Sequence, residues 1–282
     1  MTSVAVASVA VAGNGVAGML AASLVALVTA GCAPALREPP PVSALAPGTS
    51  GGRNATELVH AAEVTWAQRA DPGQAAAAQA LYLDAASADE RRADALLGAM
   101  RAMAYRIERE RDASLRARLA EQQVQLGQWC QRRAPADAAC DYRLAIALGQ
   151  QARERASTGK DALGKMVELL RRAITVAPSL DSAGPHRVLA LVLLRAPGWP
   201  IGPGDPESAL AEARAAKELF PDSPENELVL AEALGANGSA DAARGAYRRA
   251  LELAEAAGRA GEPDAHRWRA DATAGLERYG GR

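Results

Sequence analysis

Aromatic side chains make up only 4% of this sequence, and its 282 residues include three histidines. The first shortage, with the absence of long β-branched runs, excludes a core of aromatic-rich strands and calls for closely packed helices. The second leaves His60, His186 and His266 scattered along the chain, with no metal-ligand spacing among them. Charge of one sign is lacking too. The formal net charge is -1, which gives no electrostatic footprint for nucleic acid. Lysine is confined to Lys160, Lys165 and Lys217 amid many arginines, a bias read as GC-rich coding. No Ser–His–Asp order, paired acids in an apolar setting or Walker-type loop occurs, and Gly202-Pro203-Gly204 has no strand before it. The expectation is a protein that binds, with neither enzyme activity nor cofactor nor metal.

What the chain has is alanine in helical register. In the stretch from Ser223 to Leu253, Ser223 can cap a helix whose first position is Pro224. Leu230, Ala231 and Leu234 share one face, Asn237-Gly238 is a left-handed stop, and Ser239 is placed to cap the next helix. That second helix carries Ala243, Ala246, Tyr247, Ala250, Leu251 and Ala254 as an apolar stripe of helical period. The order bulky–small–bulky, then Ala–aromatic–Ala, resembles the tetratricopeptide (TPR) consensus. One such hairpin cannot bury its own stripe, so stacked neighbours are implied. Ala78, Tyr82 and Ala85 repeat the same triplet upstream. Pro178 lies five residues after Ala173, and Pro221 five after Ala216, as in a TPR unit's closing turn. Ala216 and Ala250 are one repeat period of about 34 residues apart.

Residues 1–31 carry no charged side chain, and the apolar run Met19–Ala30 ends in Thr29-Ala30-Gly31-Cys32. Small residues before a cysteine resemble the lipobox of bacterial lipoproteins, which implies a cleaved signal peptide over 1–31 and acylation of Cys32. The competing reading is an uncleaved membrane-spanning helix. Residues 32–55, rich in Pro, Gly and Ser after the cysteine, read as a flexible tether, and 56–282 as the helical domain. Ala33 in place of an inner-membrane-retaining aspartate directs the expectation towards the periplasmic face of the outer membrane.

Within the body, the pattern predicts helices over Thr56–Arg69, from Asp89 to about Arg111, up to Arg133, and from Pro263 to Tyr279. Leu96, Met100, Met103 and Ile107 share a face, read as core filling over a methionine binding surface, and the charges from Arg106 to Arg111 read as solvated. Cys130 and Cys140 flank a turn, where an exported protein can form a disulfide and the alternative is two buried thiols. Pro185 starts a helix that is apolar nearly all round from Val188 to Leu194. The following loop, Arg195 to Pro206, has too many prolines and glycines for helix and carries Trp199, either a contact residue or a packing wedge. His186 and Arg187, at a helix start, can meet an anion or simply be polar helix-start residues.

The run Ala183-Gly184-Pro185-His186-Arg187, the Ala-Pro-Gly-Trp-Pro loop, the Gly-Asp-Pro before a helix and the closing TPR resemble the T component of TPR-associated TRAP transporters. The resemblance implies a periplasmic lipoprotein made of TPR-like helices. It would associate with a solute-binding subunit and help deliver small hydrophobic acids. The expected fold is thus all-α, a right-handed superhelix of four or five stacked hairpins whose first helices line a concave groove. Tyr142, His186, Arg187, Arg195 and Trp199 are the expected contacts. The alternative function is a general TPR lipoprotein that scaffolds envelope assembly or polysaccharide export without a small ligand.

Overall fold

In the computed structural model, residues 34–48 and 51–280 are described; Cys32 and the leader before it lie outside them. Eleven α-helices follow one another there, with no β-strand among the described residues: α1 Ala55–Ala67, α2 Gln74–Ala88, α3 Ala93–Ile107, α4 Ala113–Arg133, α5 Ala138–Glu154, α6 Gly159–Val176, α7 Leu180–Arg195, α8 Pro206–Leu219, α9 Pro224–Ala236, α10 Ala240–Arg259 and α11 Ala265–Gly280. Consecutive helices pack as antiparallel hairpins, five pairs with α11 after them. Odd-numbered helices also pack on one another (α3 on α5, α5 on α7, α7 on α9, α9 on α11), whereas even-numbered helices do not meet in this way. In a curved stack the crowded row is the inner one, so α1, α3, α5, α7, α9 and α11 form the concave face.

Local chemistry sets the boundaries. Asn54 and Glu57 make a reciprocal capping box at α1, with both bonds at 3.0 Å. Asp112 caps α4, Asp137 caps α5, and Asp205 and Ser223 cap α8 and α9, each followed by proline at the first helical position in the last two. Ser239 stands at the start of α10 but its hydroxyl makes no capping bond, contrary to expectation; Asp241 supplies the acidic first turn instead. The helix expected from Asp89 begins only at Ala93, because the Asp89 carboxylate takes the Arg91 backbone N–H and holds a turn there.

Tyrosine packed over glycine locks the stack. A Cβ at Gly98 of α3 would lie 2.4 Å from the ring of Tyr82 on α2, and one at Gly275 of α11 would lie 2.2 Å from the ring of Tyr247 on α10. The Ala–Tyr–Ala stripe of the first and last hairpins is therefore half of a knob-and-hole joint whose other half is the next helix's glycine. Leu96, Met100, Met103 and Ile107 are all buried, each such side chain stabilising by about 1.5–3 kcal/mol.

The tether expectation fails for residues 34–48, which lie on the body. Ala35 and Val42 join the main core. The Ala35 N–H donates to Asp161 at 2.8 Å, the Gly48 N–H to Asp84 at 2.9 Å, and the Trp129 indole to the Pro40 carbonyl at 2.8 Å. Glu38 takes both terminal nitrogens of Arg132. Proline-rich composition, which reads as flexible chain, here describes an extended strap fixed by buried apolar side chains. Beneath it, Cys130 at the end of α4 is disulfide-bonded to Cys140 near the start of α5.

Candidate functional site

The inner row opens into a groove of about 550 Å³ between α7, α9 and α11, with Glu108 just past α3 on its far rim. Leu191, Leu228, Val229 and Ala274 supply its apolar surface, and Tyr247 and Trp268 its aromatic surface. These reach the groove because α7 is apolar nearly all round. Leu189, Ala190, Val192 and Leu193 are buried against neighbours, which leaves Leu191 turned to the inner face.

Paired charge borders that floor. Arg195 grips the Glu232 carboxylate with Nε at 3.2 Å and Nη2 at 3.0 Å, a bidentate bond that holds its guanidinium above its ordinary pKa. Arg267 lies 4.0 Å from Glu225. The Arg267 Nε–H and Trp268 Nε1–H, both on α11 at the groove wall, have no hydrogen-bond partner among the described residues. Arg278 also lines the groove, exposed and without an ion pair among the described residues. Burial pushes the Tyr247 phenol up, with the Glu232 charge adding to it, so it stays a neutral donor. Such a surface can hold an apolar side chain and orient polar or anionic groups around it.

Behind the groove wall sits a buried polar hub where two of the expected contact residues, Tyr142 and Arg187, are used. Arg187, 7% exposed, donates from Nη1 to Asn226 Oδ1 at 2.8 Å and to the Ser182 carbonyl at 3.1 Å, and from Nη2 to the Asp181 carbonyl at 3.3 Å. Asn226 Nδ2 donates to the carbonyls of Ser182 and Ala216. The Tyr142 hydroxyl, from a side chain 2% exposed, donates to the Asp181 carboxylate at 2.7 Å. Together they clamp Asp181, Ser182 and Ala183, which have φ of 51°, 54° and 63°. A left-handed residue with a side chain costs roughly 1–2 kcal/mol, so three in a row require this many partners. Right-handed helix resumes at Gly184, so Pro185 is indeed at its start.

Tyr142 and Arg187 are therefore turned inwards and not open to a ligand, and His186 is held on the neighbouring helix by Glu212 at 2.6 Å. Their types matched a binding role, but the left-handed turn they serve left no mark in the local pattern. Partial burial works to raise the Asp181 pKa but is outweighed by Arg143, the Tyr142 hydroxyl and Arg187, so it lies below the ordinary value. Glu225 links hub to groove, 3.4 Å from Arg187 on one side and 4.0 Å from Arg267 on the other.

Of the remaining expected residues, Arg195 lines the groove and Trp199 does not. The loop around Trp199 is ordered by the Gly204 N–H to Pro197 carbonyl bond at 2.8 Å and the Asp205 N–H to Leu193 carbonyl bond at 2.9 Å. A Cβ at Gly204 would come within 2.2 Å of the Ala196 carbonyl oxygen. Trp199 stands 89% exposed and Ile201 72% exposed, so the packing-wedge reading is excluded. Trp268, Asp271 and Arg278 of α11 also line the groove, and of these Asp271 and Arg278 carry no mark in the local pattern.

No protein-family model and no curated protein sequence matches this chain. Among solved structures it is similar to TTC0263, a thermophilic TPR protein of Thermus thermophilus, at 22% identity and a TM-score of 0.58 over 79% of this chain and 98% of that one. It is also similar to the MamA protein (16% identity, TM-score 0.46, 73% of this chain and 94% of that one) and to yeast Tom70 (19%, 0.47, 78% and 40%). The first likeness, together with the paired helices, shows the fold: a TPR superhelix of stacked helical hairpins.

Proposed function

We propose that this protein is a non-enzymatic scaffold that holds a polypeptide partner in the α7–α9–α11 groove, anchored outside the cytoplasm through a lipid on Cys32. The observation that carries the reading is the groove itself: an apolar and aromatic floor bordered by charges that are mostly paired within the chain. A surface of that kind gains affinity from a few anchored side chains and specificity from the polar rim. A photo-cross-linking residue at Leu228 or Asp271 should capture a polypeptide in the native envelope. The same residue at Arg248 on the outer helix α10 should capture none. Equal capture from both faces would contradict the assignment.

A finer reading follows from Arg278. A cation without an ion pair beside Ala274 and Trp268 suits an apolar acid, as uptake of the TRAP type would require. Titration with a medium-chain fatty acid should then give saturable binding that Arg278→Ala weakens about tenfold. Absence of saturable binding would leave the scaffold for envelope assembly or export.

A further inference from the structure

A solenoid's repeats touch only their neighbours, yet here the first two hairpins touch the last. Arg69, in the α1–α2 turn, donates to Glu262 at 3.0 Å across 193 residues, and Arg109, just past α3, pairs with Asp264 across 155 residues. Both carboxylates belong to the α10–α11 turn, Glu262-Pro263-Asp264. That turn is shaped before it docks: Glu262 Oε1 also takes the Asp264 N–H at 3.1 Å, and Gly261 at φ 85° redirects the chain.

The receiving surface is built. The guanidinium of Arg109 lies 3.5 Å from the centroid of the Tyr105 ring, and those of Arg69 and Arg101 lie 5.1 and 4.8 Å from that of Trp66. Trp66 and Tyr105 meet edge to face at 5.4 Å. Arginines stacked on aromatic faces keep their forks oriented for carboxylates. The cleft occupies about 580 Å³, with Pro263 of the turn and His266 of α11 on one side and Tyr105, Arg106 and Arg109 on the other. Arg106 is engaged by Gln79 at 2.6 Å, and Asp71 and Glu110 also line the cleft. The arginines that face the turn are Arg69 and Arg109.

We propose that the Arg69–Arg109 surface beside this cleft is a receptor for an acidic polypeptide turn, engaged in cis by Glu262-Pro263-Asp264, and that a partner bearing a segment of the same chemistry displaces the turn and separates the first hairpins from the last. The scaffold reading enters only through the partner; the cis closure stands on the ion pairs. Docking in cis acts at high effective concentration, so a free peptide competes poorly until the internal ligand is disabled.

The test uses the isosteric full-chain variant E262Q/D264N and a fluorescein-labelled peptide of residues 259–266. The variant should keep its helical circular dichroism, show a larger radius of gyration by small-angle X-ray scattering, and bind the peptide at least tenfold tighter than the parent chain. A Gln/Asn version of the peptide should bind at least tenfold more weakly, and salt near 1 M, where screening acts over about 3 Å, should erase the difference. R69Q/R109Q should expand likewise but gain no peptide binding. An E262Q/D264N chain that is folded, unchanged in size and unable to bind the peptide would overturn the proposal, as would equal binding of the acidic and neutral peptides. These readouts are independent of cross-linking at the α7–α9–α11 groove, so failure of either leaves the other interpretable.

Discussion

The two ends of the superhelix are held together by different chemistry. From the strap at residues 34–48 through α7 and on to Ala209 at the start of α8, one continuous apolar cluster runs beneath the helices, stapled by Cys130–Cys140 and covered by the strap. On the other side of α7 and through α10 the apolar clusters are smaller: Ala190, Ala213, Val229, Leu230 and Ala233 in one place and Ala231, Ala246 and Tyr247 in another. The polar hub of Arg187, Asn226 and Asp181 replaces much of the missing apolar packing. A region held by hydrogen bonds around a left-handed turn can leave apolar residues such as Leu191 and Leu228 at an inner face. The well-packed region cannot, because its apolar side chains are used in its own core. Binding surface and thin packing therefore coincide.

The largest way to break this contrast is Arg187→Ala, which strips donors from Asn226 and from the carbonyls of Asp181 and Ser182. Truncating one partner of a buried charged network costs about 3–5 kcal/mol. Hydrogen exchange should show α7–α9 amides losing protection while α2–α5 keep theirs. Equal loss throughout would mean that the two regions unfold as one. Next comes the double replacement of Cys130 and Cys140 by alanine. The ten-residue separation corresponds to about 2–3 kcal/mol of loop-closure stabilisation, and denaturant melts should place that loss in α4–α5.

The Tyr-over-Gly joints sharpen the comparison because both regions contain one. Gly98→Ala should cost about 1–3 kcal/mol through overpacking against fully buried Tyr82. Gly275→Ala should cost less, because Tyr247 borders the open groove and can shift. Thermal melts of the two variants rank them. The smallest effect is that of Asp181. Its folded pKa is below the ordinary 3.8, so its contribution is complete above about pH 4 and is lost as pH falls through the folded value. Asp181→Asn should flatten the acid limb of the stability profile below pH 4 and leave its slope unchanged above pH 6.

Much of the fold was legible because TPR packing is local. The Ala–Tyr–Ala triplets, the Ser223-Pro224 and Asp205-Pro206 starts and the turns at Pro178 and Pro221 each declare one hairpin within a few dozen residues. The site was less legible. Arg195 could be read as a rim residue, but Tyr142 and Arg187 look the same in sequence whether they face a ligand or a strained turn. The partners that decide the matter, Asp181 and Asn226, lie 39 positions from each. The cis pairs of Arg69 and Arg109 span most of the chain and leave no periodic trace. The strap at 34–48 misled for a related reason, since proline-rich chain acquires order only from the surface it meets.

The decisive experiment for partner binding at the inner groove is hydrogen exchange of the full chain, with and without its cross-linked partner. Added protection should appear on α7, α9 and α11, with the outer helices α4, α6 and α8 unchanged. Protection that appears on the outer helices and spares α9 and α11 would contradict it.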